Sequence, residues 1–354
     1  MGSQTRDPIP PSRLNFSLPA AVHSSMKHSV LSWVRLAVAS VALTAMLLPA
    51  VAADNPFIGN WALTIPGGGA GWLGVTQEKG YCDASILWGG GSVVPVDSVF
   101  FNDEKDMLFV TRISEVKRKD ASGKVVRTHR FTEVIMAKLD GDTLDLTQLR
   151  PSDQGMASSK FTGKRIPPVP AAPDLAKVKF GNPVVLFAGK DLTGWRLTSP
   201  NAASGWSIQD GVLTNHPEQE EGKPHKSFGN LRTDREFEDF KLTLETRVPK
   251  GGNSGIYLRG IYEIQVADSF GRPTDSHNMG GVYSRITPTE NAAKAIGEWQ
   301  TYEITLVDRH VTVVLNGKTV IDNQPLLGCT GGALWADQFR PGPIYLQGDH
   351  TGVD

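Results

Sequence analysis

Along much of the chain apolar and polar residues alternate one for one, the period of a strand with one buried and one solvated face. The alternation is most regular between 241 and 266. Leu242, Leu244 and Val248 alternate with Thr243, Glu245 and Arg247; Ile256 and Leu258 with Tyr257 and Arg259; Tyr262, Ile264 and Val266 with Glu263 and Gln265. Near the end, Ile344 and Leu346 alternate with Tyr345, Gln347 and Asp349. Helical periodicity is nearly absent, and only 290–296 reads as one short helical turn. Strands of this kind, packed as two sheets face to face, make a β-sandwich. An all-β sandwich is therefore expected over 183–354.

A second set of shorter strands is expected over 54–165: 61–65, 72–76, 85–88, 98–101, 107–113, 125–139 in two pieces, and 143–147. Ser122-Gly123 and Gly141-Asp142 supply hairpin turns between them. Their even spacing predicts a small antiparallel β-barrel or sandwich. Gly59-Asn60-Trp61 at its start resembles the first strand of lipocalin-like barrels. Trp61, Trp72 and Trp88 either line a ligand pocket or pack in the core and rim. Between the two sets, IPPVPAAP (166–173) opens a Pro/Ala-rich linker over 166–182, which favours extended backbone.

The start of the chain has a different character. Lys27, His28 and Arg35 precede an apolar run, 36–48, followed by PAVAA at 49–53. A basic start, a short apolar core and small residues at the end describe a cleavable secretory signal rather than a membrane span. Residues 1–53 are thus read as an upstream extension and signal peptide. Met26 reads as the start codon, and the folded part as secreted or periplasmic. With 36 basic and 37 acidic residues, the balanced charge gives no support to a nucleic-acid partner. Lys117-Arg118-Lys119 reads as a polar strand end. Cys82 and Cys329 read as two isolated thiols or a single bridge, with no zinc-type array.

The polar faces of the second set carry Glu, Arg, Gln and Tyr, side chains that make directional hydrogen bonds suited to sugar hydroxyls. The hairpin turning near Gly260 is expected to gather Tyr257, Arg259, Glu263 and Gln265 on one face. Solvated surface is the plain alternative. Glu263 and Asp268 on one strand suggest a glycosidase pair, but the two carboxyls must come within about 5–5.5 Å for a retaining mechanism. Asp268 would need a bulge to reach that face.

An ordered set of segments carries a more specific resemblance. LFAGKDLTGW (186–195), WSIQDGVL (206–213), EDFKL (238–242), GNSGIYLR (252–259), YEIQVAD (262–268), EWQTY (298–302), LNG (315–317) and GPIYLQ (342–347) occur in sequence. Together they resemble the 3-keto-disaccharide hydrolase domain family. That resemblance implies a concanavalin-like sandwich (jelly roll) over 183–354. The family continues past Gly-x-His with an aromatic-Arg-Asn-Ile strand, whereas this sequence ends at TGVD (351–354).

The resemblance also implies a reaction. A keto group at C3 of a glycosyl unit acidifies the C2 proton; its removal gives an enolate that expels the C1 substituent, and water completes net hydrolysis. A base, an oxyanion partner and an acid are required. Glu263 is the first candidate base, with Asp268 second, Arg259 the oxyanion partner and His350 the acid. Gln265, Tyr257, Asn253, Gln347 and Glu245 would orient sugar hydroxyls. A cross-strand Glu263–Arg259 ion pair, a tight turn at Asn253, and a loop-holding or calcium-ligating Asp268 are the competing readings. No cofactor is expected, calcium aside. A separate sugar-oxidising dehydrogenase would supply the substrate. A carbohydrate-binding module without chemistry and a conventional glycosidase remain open.

Overall fold

The computed structural model describes residues 55–348, 350 and 353, apart from 103, 221–222 and 224–225. The predicted leader lies outside the described residues. Those residues contain no α-helix, so the turn expected at 290–296 is irregular backbone. Among the described residues no helix is long and apolar enough to cross a membrane.

The first nine strands form one antiparallel meander: β1 (Gly59–Thr64), β2 (Ala70–Glu78), β3 (Tyr81–Trp88), β4 (Val94–Pro95), β5 (Ser98–Phe101), β6 (Met107–Lys119), β7 (Val125–Asp140), β8 (Thr143–Ser152) and β9 (Gly155–Ile166). Each pairs with its neighbour in sequence except β4 with β5, and β9 returns to β1. The 94–101 segment closes the circle. β4 pairs with β3, β5 pairs with β6, and between them Val96 N donates to Ala84 O while Asp97 N donates to Thr111 O. The result is a barrel, which removes the free sheet edges that a nine-strand sheet would expose.

Its interior is filled by Trp61, Leu63, Leu73, Val75, Ile86, Leu108, Val110, Ile135, Leu144 and Leu146. Trp61 is fully buried, donates to Phe57 O at 3.0 Å and lies 4.1 Å beneath the Arg165 guanidinium. The three tryptophans do not share a pocket. Trp61 is inside, Trp88 packs edge-on against Phe161, and Trp72 points outward into the sandwich. Two strand expectations change: 125–140 is one unbroken strand, and β9 was not foreseen. In β9 the run 155–160, GMASSK, is almost wholly exposed, so it has no buried face and carries no alternation to read.

The remaining strands are β10 (Trp195–Leu197), β11 (Trp206–Gln209), β12 (Val212–Asn215), β13 (Leu231–Phe237), β14 (Phe240–Arg247), β15 (Asn253–Leu258), β16 (Tyr262–Ala267), β17 (Trp299–Val307), β18 (His310–Leu315), β19 (Lys318–Pro325) and β20 (Gly342–Leu346). A five-stranded sheet, β10-β13-β20-β15-β16, faces a four-stranded one, β14-β17-β18-β19; β11 and β12 make a separate hairpin. Ile256, Leu258, Ile264, Val266 and Ile344 from the first sheet meet Leu242, Tyr302, Ile304, Leu306 and Val313 from the second in one core.

The 167–173 segment has no secondary structure but is fastened to the sandwich. Arg309 donates to Pro167 O and Pro168 O, and Asn323 to Pro173 O. Cys82 and Cys329 are both free.

Candidate active site

β15 and β16 form the hairpin at one edge of the five-stranded sheet, with β15 also pairing to β20. Their register pairs Asn253 with Ala267, Gly255 with Gln265, and Tyr257 with Glu263; Tyr257 also pairs with Tyr345 of β20. Because alternate side chains share a face, Ile256, Leu258, Ile264 and Val266 enter the core. Asn253, Gly255, Tyr257, Glu263, Gln265 and Tyr345 make the opposite, polar face. Ser254 Oγ and Gly255 O fix the next residue of β20's strand line, bonding Gln347 O and Gln347 N at 2.9 and 3.0 Å. Gly255 therefore lies between Gln265 and Gln347.

The missing side chain at Gly255 is what makes a hollow. A Cβ there would stand 2.3 Å from Glu263 Oε1 and 2.8 Å from its Cγ, so the Glu263 side chain lies across the glycine. Close approach of this kind is a standard reason for glycine inside a strand. Gln265 Nε2 donates to Asn253 Oδ1 at 3.2 Å. The amide oxygens of Gln265 and Gln347 are buried with no hydrogen-bond partner among the described residues. Two orphaned acceptors at one spot are costly unless a ligand or water completes them.

Glu263 is only 3% exposed. Its Oε2 is 2.8 Å from Tyr257 Oη, which also lies 2.6 Å from Gly331 O. A phenol has one proton and here two acceptors. The network is complete when Glu263 is protonated and donates to Tyr257, which donates onward to Gly331. Burial pushes the Glu263 carboxyl up to about 8, and the Tyr257 contact pulls it partly back. Tyr257 and Tyr345 stack at 3.9 Å, and burial raises both phenols well above their ordinary value. Tyr345 Oη donates to Gly332 O at 2.6 Å. The 331–332 loop thus covers the tyrosine end of the face, and the half-buried Asn253 and Gln347 mark its more open end.

The hairpin does not bring all the predicted residues together. Arg259 has φ 54° and Gly260 φ 71°, so the tight turn starts at Arg259 and ends the alternation one residue earlier than expected. The guanidinium turns away to donate to Gln338 O and Arg340 O, with Nη2 at 2.7 and 2.6 Å, and is 2% exposed. It neither pairs with Glu263 nor reaches the polar face, which corrects its expected oxyanion role.

Asp268 holds a loop. Its carboxylate accepts Gly251 N at 3.0 Å and its own N–H donates to Gly252 O. It forms no carboxylate pair with Glu263. Glu245 is exposed on β14, in the other sheet, where it accepts the Thr301 hydroxyl. Tyr257 is fully buried and committed to Glu263 and Gly331, so it positions the carboxyl rather than a sugar hydroxyl. His350 is exposed beyond Gln347. Among the described residues no group of three or more His, Cys, Asp or Glu could hold a metal ion.

Sequence reasoning missed Gly255 and Tyr345. The glycine inside an otherwise alternating strand was the available signal for the first; nothing marked the second. A large cavity of about 1020 Å³ lies elsewhere, on the inner side, lined by Leu242, Leu244, Ile256, Val266, Ile344 and Leu346. Its wall also carries the polar Arg235, Asp239, Lys241, Glu245 and Ser254, but the polar face has in addition the buried Glu263 carboxyl beside Gln265 and Gln347.

Residues 182–354 match the profile of the 3-keto-alpha-glucoside-1,2-lyase-like domain. A 3-keto-disaccharide hydrolase of Bacteroides thetaiotaomicron is 26% identical over 166 residues, covering 39% of this chain and 57% of that protein. The chain thus spans just over half the length of that curated relative. A crystal structure of a candidate glycosyl hydrolase from Parabacteroides distasonis is 32% identical, covering 48% of this chain and 79% of that one, with a TM-score of 0.39. Another from the same organism is 20% identical over 48% of this chain and 89% of that one, at a TM-score of 0.38. The C-terminal half of this chain, residues 182–354, belongs to the 3-keto-alpha-glucoside-1,2-lyase-like domain family.

Proposed function

We propose that residues 182–354 cleave the glycosidic bond of 3-keto-glycosides by C2 proton abstraction, elimination and hydration, with Glu263 as the base. The observation that carries this is the Glu263 carboxyl, buried beside two orphaned amide oxygens and titrating near 8. A base whose affinity for a proton lies close to the working pH can both take and return one. The reaction needs such a group because the proton removed from C2 must be held through enolate formation and then released.

The rest of the face serves binding. Gln265 and Gln347 present unpartnered amide oxygens that can accept from sugar hydroxyls, and Asn253 orients Gln265. His350 is the group assigned to the leaving oxygen. Two-carboxylate hydrolysis is disfavoured, because Asp268 is engaged with Gly251. The family and its named relative support the same substrate class. In this reading a C3-oxidising sugar dehydrogenase would supply the substrate, and the leader-like stretch supports a reaction outside the cytoplasm.

The test is to assay purified protein on a 3-keto-glucoside and on the unoxidised disaccharide, with and without chelator. Cleavage of the keto sugar alone, lowered at least ~100-fold by Glu263→Gln, is the expected result. Undiminished turnover in Glu263→Gln removes it as base, and affinity without turnover leaves a binding module.

A further inference from the structure

Beside the Glu263 strand, where Glu263 O accepts the Tyr283 N–H, two residues of the 275–277 loop and one from far earlier in the chain form a hydrogen-bond chain. Asp275 Oδ1 is 2.6 Å from His277 Nδ1, and His277 Nε2 is 2.9 Å from Ser92 Oγ. Asp275 also accepts the His277 backbone N–H at 2.8 Å, so the carboxylate grips both ends of the histidine it orients. The Tyr283 ring meets the imidazole edge-on at 4.7 Å and fixes its plane. Ser92 comes from the barrel, 185 residues away, on the loop after β3. That loop is held by Val93 N donating to Ser284 Oγ.

We propose that Ser92, His277 and Asp275 form a nucleophilic site that hydrolyses short-chain acyl esters. The order is that of an activated serine: nucleophile, base, and a carboxylate that fixes the base's tautomer. With Asp275 on Nδ1, that nitrogen carries the proton, and Nε2 is left to accept from Ser92. The Asp275 carboxyl is held below its ordinary value, first by the His277 backbone N–H and then by the ring, which keeps it anionic for this role. The site is open to substrate, as the His277 side chain is 42% exposed.

The preceding residues, Gly89-Gly90-Gly91, determine what can bind. The loop backbone packs against Gly331 and Gly332 on one side, but a Cβ at Gly90 or Gly91 would meet nothing within 4 Å, so its other side offers open space. That open side suits an acetyl-sized acyl group, which needs no acyl-binding wall. The Gly90 and Ser92 N–H groups donate to no acceptor among the described residues, and they lie on the nucleophile's own loop, where a developing oxyanion needs donors.

In the reaction Ser92 Oγ adds to the acyl carbon as its proton passes to Nε2. Collapse breaks the C–O bond, and the alcohol leaves with that proton. Water then gives a proton to Nε2 and adds to the acyl-serine; collapse returns the proton to Ser92 and frees the carboxylic acid. The net change is ester plus water to acid plus alcohol.

The experiment uses the full chain with a fluorophosphonate probe and p-nitrophenyl acetate. Mass spectrometry should place the probe on Ser92, and Ser92→Ala should lose the label and at least ~100-fold of the ester hydrolysis. Asp275→Asn, which leaves the Ser92–His277 contact in place, should lower hydrolysis at least ~10-fold with the melting temperature unchanged. If Ser92→Ala does not fold, Ser92→Cys keeps the contact and should move labelling from the fluorophosphonate to a thiol reagent. An unlabelled Ser92 in the folded wild-type protein overturns the proposal. So does p-nitrophenyl acetate turnover in Ser92→Ala within about twofold of wild type, which would leave the exposed imidazole acting alone. Loss of ester hydrolysis in Ser92→Ala with keto-glycoside cleavage intact separates this site from Glu263.

Discussion

Glu263 links stability to chemistry in opposite senses. Its carboxyl titrates near 8 in the folded protein against an ordinary 4.5, because burial penalises the charge more than the Tyr257 contact relieves it. The folded state therefore holds the proton more tightly than the unfolded state. That contribution to stability is fully present below pH ~4.5 and is lost as pH rises through about 8, on the order of a few kcal/mol in all. As a base, however, Glu263 works only when deprotonated. The kcat/KM for a 3-keto-glycoside should rise with pH and level off above about 8, while urea-unfolding stability falls across the same interval. Glu263→Gln should flatten the stability slope between pH 5 and 8 and abolish the rising limb of the rate profile. A slope that survives the substitution would assign the proton to another group.

At the scale of the element, the β15–β16 hairpin shows what can be read from sequence and what cannot. Period-two alternation placed Tyr257, Glu263 and Gln265 on one face correctly, because a strand has no freedom to do otherwise once Ile256, Leu258, Ile264 and Val266 are buried. Arg259 escaped the pattern because alternation is a property of extended backbone, and a residue at φ 54° is no longer extended. Nothing in the residue type announced this, since Gly260 alone looked sufficient for the turn. Asp268 and Glu245 failed similarly: residue type suggested chemistry, but loop contacts and sheet membership decided otherwise.

Two substitutions test the resulting picture. Gly255→Ala puts a methyl 2.3 Å from Glu263 Oε1, so the carboxyl must move. A destabilisation of about 1–3 kcal/mol is expected, with a loss of keto-glycoside turnover larger than a stability effect alone would give. Arg259→Ala leaves the buried carbonyl of Gln338 and the partly buried carbonyl of Arg340 without their donor. It should cost about 2–4 kcal/mol in denaturant unfolding, yet under native conditions change kcat by less than an oxyanion partner would, within about tenfold. A loss of several hundredfold with stability intact would restore Arg259 to the reaction.

For the whole molecule, the question is whether barrel and sandwich fold separately. The sequence separates them by a Pro-rich stretch, but β2 is buried along 70–75 without interruption. The cause is that this strand serves two cores: Leu73 and Val75 face into the barrel, whereas Ala70 and Trp72 join the sandwich core. A run apolar on both faces was the visible clue to a doubly covered strand. Trp72 is the centre of the contact. Its indole donates to Leu327 O at 3.0 Å, the Arg285 guanidinium lies 4.4 Å from its ring, and Gly74 leaves room for the ring to lie flat, since a Cβ there would be 2.2 Å away. Such a contact should make the two parts melt as one. Thermal unfolding of the wild-type protein should show a single calorimetric transition. Trp72→Ala, which removes a buried indole worth about 3–5 kcal/mol, should split it into two. Trp72→Phe keeps the ring against Arg285 and loses only the bond to Leu327, so it should keep one transition at a cost of about 1 kcal/mol. Two transitions already present in the wild type would mean that the seam, with the Ser92–His277 contact at its border, contributes little to holding the halves together.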